Sequence, residues 1–136
     1  MITYEITATV DPGSTEAYEQ FMRQRHIPDL LATGYFREAA FTRSAPGRYR
    51  VRYEASSHAD LERYLAEHAP QLRADFAAHF PSGVTLSREI WATIQTWNAP
   101  AHTVSYAQRG DQPMDAGPGG RSAAPGGEAE AVQARA

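Results

Sequence analysis

From residue 2 to residue 96 the hydrophobic pattern alternates between a period of two and a period of about 3.6, and the order of the switches leaves few folds open. Ile2, Tyr4, Ile6, Ala8 and Val10 alternate with Thr3, Glu5, Thr7 and Thr9, which predicts a strand with one face in the core. Asp11-Pro12-Gly13-Ser14 predicts a turn, with Ser14 or Thr15 as N-cap of a helix that runs to about Thr33, where Gly34 stops it. Residues 35–43 and 48–55 predict two strands joined across Ser44-Ala45-Pro46-Gly47. Ser56 or Ser57 caps a second helix to about Phe80, Pro81-Ser82-Gly83 ends it, and residues 84–96 predict the last strand. The order β-α-β-β-α-β is that of a ferredoxin-like α+β domain, a four-stranded antiparallel sheet with two helices on one face.

With both helices on one side, Thr3, Glu5, Thr7, Thr9, Arg50, Arg52 and Glu54 fall on the other sheet face. Either water covers them, or two such sheets pack face to face in a homodimer with Arg/Glu pairs between them. Charges alone do not hold such an interface. Phe36 or Phe41, depending on register, and the Trp91/Trp97 end of the last strand have to supply its apolar part.

At an offset of 42 residues, His26-Ile27-Pro28-Asp29-Leu30-Leu31-Ala32 superposes on His68-Ala69-Pro70-Gln71-Leu72-Arg73-Ala74, and both read H-x-P-x-L-x-A. Each proline removes a helical hydrogen bond, to the carbonyl of Gln24 or of Ala66, and predicts a kink or restart. A restart exposes free N–H groups that can hold an anion, while a kink can simply wrap a long helix round a twisted sheet.

Leu61, Leu65, His68, Leu72, Phe76 and His79 fall at helical spacing on one side of the second helix, so two histidines enter an apolar stripe. Such a histidine is either hydrogen-bonded in the core or a titratable group in a cavity. Arg73 and Asp75 flank the stripe, Arg25 falls on the apolar side of the first helix, and His26 is one step round. A cavity between helices and sheet is therefore expected, with His26 or His68 as general base and Arg73 stabilising an anionic intermediate. Tyr4, Tyr53, Tyr64, Arg25 and His79 are its candidate ligand-binding residues.

Other chemistries lack their signals. No local His/Glu pair has metal-site spacing, and His68 and His79, three helical turns or roughly 16 Å apart, cannot share an ion. With no cysteine and no lysine, thiolate sites, disulfides and Schiff-base lysines are absent. Glycine motifs for dinucleotide or nucleoside triphosphate binding are missing, and so is a serine-hydrolase elbow, so no cofactor is expected. A formal net charge of −3 gives no footprint for nucleic acid or an anionic membrane. The first residues form neither a basic nor an apolar leader, and no stretch approaches a membrane span, so a cytoplasmic location is expected. Residues 98–136 hold 6 of the 10 glycines and 4 of the 9 prolines with few large apolar side chains, and read as a disordered tail after a domain of residues 1–97.

The opening MITYEITATV, the segment RHIPDLLATGYF at 25–36 and the segment YLAEHAPQLRADFAAHF at 64–80 together resemble domain-of-unknown-function family 4286, over about residues 1–95. The resemblance implies a dimeric α+β barrel, in which two ferredoxin-like protomers pack sheet to sheet. It carries no assigned activity. The wider superfamily that it implies includes cofactor-independent monooxygenases, haem-degrading enzymes, isomerases and mutarotases, chlorite dismutase-like proteins and ligand-sensing domains, and fold alone does not choose among them. The expected function is small-molecule binding or cofactor-independent monooxygenase or isomerase chemistry in that cavity. The alternative is a non-catalytic dimerisation or interaction module whose H-x-P motifs only shape helices.

Overall fold

The computed structural model describes residues 1–101. Strands β1 (Ile2–Val10), β2 (Glu38–Ala45), β3 (Arg48–Ala55) and β4 (Val84–Ala92) form one antiparallel sheet in the order β2-β3-β1-β4. The first helical region is α1 (Thr15–Phe21), a π-helical segment (Met22–His26) and α2 (Ile27–Ala32), and the second is α3 (His58–Glu67) followed by α4 (Ala69–His79). This is the expected ferredoxin-like α+β architecture. From residue 102 onward the expected tail lies outside the described residues. Among the described residues no helix is long and apolar enough to cross a membrane.

β1 lies centrally and pairs along its length with β3 and β4, so its alternation sets the two faces of the sheet. Tyr4, Ala8 and Val10 are buried on the helix side together with Tyr49, Val51 and Tyr53 of β3. Tyr18, Tyr53, Leu30, Leu61 and Val51 are the largest fully buried side chains. Each such burial contributes roughly 1.5–3 kcal/mol. Ser57 caps α3, its Oγ accepting from the Asp60 N–H at 3.1 Å. Ser14 takes the N-cap position of α1 without a side-chain bond, since a 3-10 turn over Pro12–Ser14 precedes it.

β2 departs from expectation at both ends. It begins at Glu38, three residues late, so Phe36 precedes the strand and is not bound by its alternation. Phe36 and Phe41 both reach the helix side, Phe36 against Tyr4, Tyr53 and Tyr64, Phe41 against Tyr18 and Tyr49. Neither supplies an apolar contact to the open face, which corrects the sequence expectation. The strand continues to Ala45 through an irregularity between Arg43 and Ala45, so the hairpin closes on Pro46-Gly47 alone. Gly47 has φ +80°, and a Cβ there would sit 2.7 Å from the Val10 carbonyl oxygen, so only glycine closes this turn without a shift. β4 ends at Ala92, which leaves Trp97 outside the sheet and Trp91, opposite Thr3, as the open face's exposed aromatic.

On that open face Thr3 donates to Glu54 at 2.6 Å, and Glu5, only 6% exposed, lies 3.7 Å from Arg50 and 3.5 Å from Arg52. On the other face the helices pack over β1, β2 and β3. Val84, Leu86, Arg88 and Ile90, the inward residues of β4, remain half-buried.

Candidate functional site

Both H-x-P segments break their helices, by different means. Pro28 offers no N–H to the Gln24 carbonyl, and the Ile27 N–H reaches back five residues to the Met22 carbonyl, closing a π turn. The turn inserts one residue into the helical frame. After buried Tyr18 and Met22, an uninterrupted α-helix would carry Arg25 and Asp29 inward, whereas here His26, Ile27 and Leu30 turn toward the core and Arg25 and Asp29 are exposed. At the second segment α3 ends at His68, whose φ of −122° is not helical, and α4 restarts with Pro70 in its first turn, where no N–H is needed.

These breaks sort the sequence-predicted residues. His26, Tyr4, Tyr53 and Tyr64 line one cavity of about 30 Å³ between helices and sheet, together with Ile6, Tyr18, Met22, Leu30, Val51, Phe76, Leu86 and Arg88. Arg73 stands behind this wall, donating from Nη2 to the Tyr4 hydroxyl at 2.9 Å. His68 does not reach the cavity. Its half-exposed ring packs beside Tyr35 and Tyr64 and borders a shallow outer groove with Arg25, Asp29 and Asp75. The expected apolar stripe is cut at His68 by the restart, so its histidines belong to different surroundings. Arg25 and His79 meet on the surface: Arg25 pairs with Asp75 at 2.8 Å, its Nη1 lies 3.3 Å from His79 Nε2, and His79 Nδ1 lies 2.9 Å from the Asp75 carbonyl. Arg25 on the apolar side is thus a corrected expectation, and the π turn is its cause.

Burial decides the protonation of the cavity. It pushes His26 down to about 4, against the pull of Asp29 and Asp75 and with a further push from Arg88 and Arg25, so the imidazole is neutral at pH 7. Burial raises Tyr53 well above its ordinary value, with Tyr64 adding to the shift, and raises Tyr64 likewise, with Tyr4 adding and Arg73 and Arg88 opposing. Both phenols stay protonated. His26 Nδ1 and the Tyr53 hydroxyl are buried with no hydrogen-bond partner among the described residues. The His26 ring is fixed between Phe21 at 5.7 Å and Phe76 at 5.5 Å. A neutral imidazole nitrogen, an uncommitted hydroxyl and a guanidinium around one small space can accept a proton and hold an oxyanion.

Arg88 was missed by sequence reasoning, although its signal was there. It shares strand parity with Val84, Leu86 and Ile90, and a charge on that apolar side is the kind of exception that marks a site. Among the described residues no three His, Asp or Glu side chains come together as a metal site.

No curated protein matches the sequence. Among solved structures, SnoaB, a cofactor-independent oxygenase from Streptomyces nogalater, is similar with a TM-score of 0.54 at 17% identity, covering 70% of this chain and 94% of that one. An ethyl tert-butyl ether D (EthD) family protein from Bacillus halodurans gives 0.53 at 16% identity over 69% and 100%. A dimeric ferredoxin-like protein from an uncultured marine organism gives 0.55 at 12% identity over 71% and 97%. At such identities these likenesses establish the fold. Residues 1–94 match the family described as a domain of unknown function, DUF4286, and the chain belongs to that family.

Proposed function

We propose that the protein is a homodimeric small-molecule-binding domain with a cofactor-independent oxygenase- or isomerase-type site between helices and sheet. The observation that carries this reading is the pair of buried, unpartnered polar atoms at the cavity, His26 Nδ1 and the Tyr53 hydroxyl. Leaving a buried polar group unsatisfied costs about 1–3 kcal/mol, so two together point to a polar guest. In this reading His26 Nδ1 takes a proton from an O–H or C–H acid. Arg88 stabilises the resulting anion, and Arg73 acts one step back by holding the Tyr4 hydroxyl. His68, Arg25 and His79 take no direct part.

The dimer in this reading forms through the open sheet face. Its support is the burial of Glu5 between Arg50 and Arg52 together with exposed Trp91 on the same face, and the likeness to a dimeric ferredoxin-like protein. A non-catalytic interaction module is the competing reading. The size of the cavity favours it, since ligand pockets ordinarily measure some 300–1,000 Å³. For a ligand to enter, the wall must open, and the inward side of β4, only half-buried, is its most accessible part.

Native mass spectrometry of the full chain tests both parts at once. The expected spectrum is a dimer carrying a stoichiometric small-molecule adduct that His26→Ala loses while remaining a dimer. A bare dimer in both proteins transfers support to the interaction module, and a monomer contradicts the barrel.

A further inference from the structure

The charge balance of the cavity points beyond a generic guest. We propose that the site selects a small monoanion, a carboxylate or enolate on a compact apolar body, and that Arg88 is the residue that selects it. This rests on the reading of the cavity as a ligand site.

Among the residues that line the cavity there is one guanidinium and no carboxylate. Arg88 sits on β4 opposite Ile6, half-buried, with no hydrogen bond or ion pair to any described residue. Other arginines of the fold are matched: Arg25 by Asp75, Arg43 by Glu19, Arg50 and Arg52 by Glu5. The wall gives this half-buried guanidinium no counter-charge, and a bound anion supplies one. No other group in the wall carries a full positive charge: Arg73 stands behind it, reaching the cavity only through the Tyr4 hydroxyl, and the imidazole of His26 is neutral above about pH 4.

Size and charge narrow the class. A cavity of about 30 Å³ has room for two water-sized centres or so, which suits the two oxygens of one carboxylate or the single oxygen of an enolate and not a whole substrate. The planar guanidinium meets two such oxygens side by side, with the Tyr53 hydroxyl free to donate a further bond. The body of the ligand then lies along Leu86 and Ile90, whose half-buried side chains give it an apolar seat. A phosphate dianion fits poorly, since one guanidinium leaves half its charge unmatched.

Benzoate and benzamide, which share shape and differ in charge, are the probes. In calorimetric titration of the full chain, benzoate is expected to bind one per chain and at least about tenfold tighter than benzamide. Arg88→Gln is expected to lose that preference, Arg88→Lys to recover part of it, and Arg37→Gln, at an exposed position before β2, to leave it unchanged. If both probes bind alike, the ligand site stands and anion selection is wrong. If Arg88→Gln keeps the preference, the selecting charge lies elsewhere and the assignment to Arg88 is wrong. If neither binds the folded wild-type protein, the ligand-site reading falls and this proposal with it. Should Arg88→Gln fail to fold, the comparison of the two probes on wild-type protein still decides whether the site selects an anion, and Arg88→Lys decides the residue.

Discussion

At His26-Ile27-Pro28 the missing proline N–H is absorbed by a π turn, and the helical axis runs on with its face rotated by one residue. At His68-Ala69-Pro70 the helix stops and begins again. The first solution turns an imidazole into the core beside Tyr53 and Arg88, and the second leaves one half-exposed next to Glu67. What separates them is where the chain can stop. His26 lies in the middle of a helix that must bury Leu30 one turn on, while beyond His68 the next residues to reach the core are Ala69, directly after the break, and Phe76, two turns along the restarted α4. Shared local sequence therefore specifies a break, and the tertiary requirement on the residues beyond it specifies which kind.

The largest expected difference between the two histidines is in acid. The folded state holds the His26 proton less readily than the unfolded chain, so protons favour unfolding, and the stability from neutral His26 is complete above about pH 6.5 and lost as the pH falls toward 4. The shift corresponds to about 3 kcal/mol across that window. Urea denaturation at several pH values is expected to show this slope in wild type and in His68→Leu, and not in His26→Leu. Equal slopes in all three proteins would break the distinction.

Ligand binding comes next. His26→Ala is expected to weaken benzoate binding at least about tenfold, with His68→Ala within about twofold of wild type, both by calorimetry. A smaller effect is expected at Tyr53. Tyr53→Phe removes a buried hydroxyl without a partner and should raise unfolding free energy by up to about 1 kcal/mol in the ligand-free protein. The mildest comparison concerns the prolines themselves. Pro28→Ala restores a donor that can reach the Gln24 carbonyl and competes with the π bond from Ile27, so the His26 ring resonances should move while stability changes by less than about 1 kcal/mol. Pro70→Ala, in a first helical turn, should leave those resonances in place.

Much of the fold was legible because alternation along β1 and β3 is unbroken and both neighbours of β1 follow its register. The ends of β2 and β4 were less so. Apolar residues continue past both boundaries, and periodicity cannot tell Phe36 packed ahead of a strand from Phe36 within it. Of the site, Tyr4, Tyr53 and Tyr64 followed from strand and helix phase, and His26 from its motif. Arg25 and His26 exchanged roles because a proline announces a break without saying that the frame will slip by one residue. A stripe drawn on one continuous helix places His68 and His79 inward, and the restart at His68 breaks that helix. Arg88 shows in the sequence as a charge in the apolar parity of β4, and nothing local says that the residues around it enclose a cavity.

The central claim is that His26 is a neutral, buried imidazole facing a cavity that takes a guest. Its most direct test is an NMR titration of the His26 ring in the full chain. The account predicts ring resonances that stay constant through neutral pH and turn over only near 4, with benzoate shifting them. A midpoint near 6.5, the value of a free imidazole, together with no response to benzoate, would contradict it.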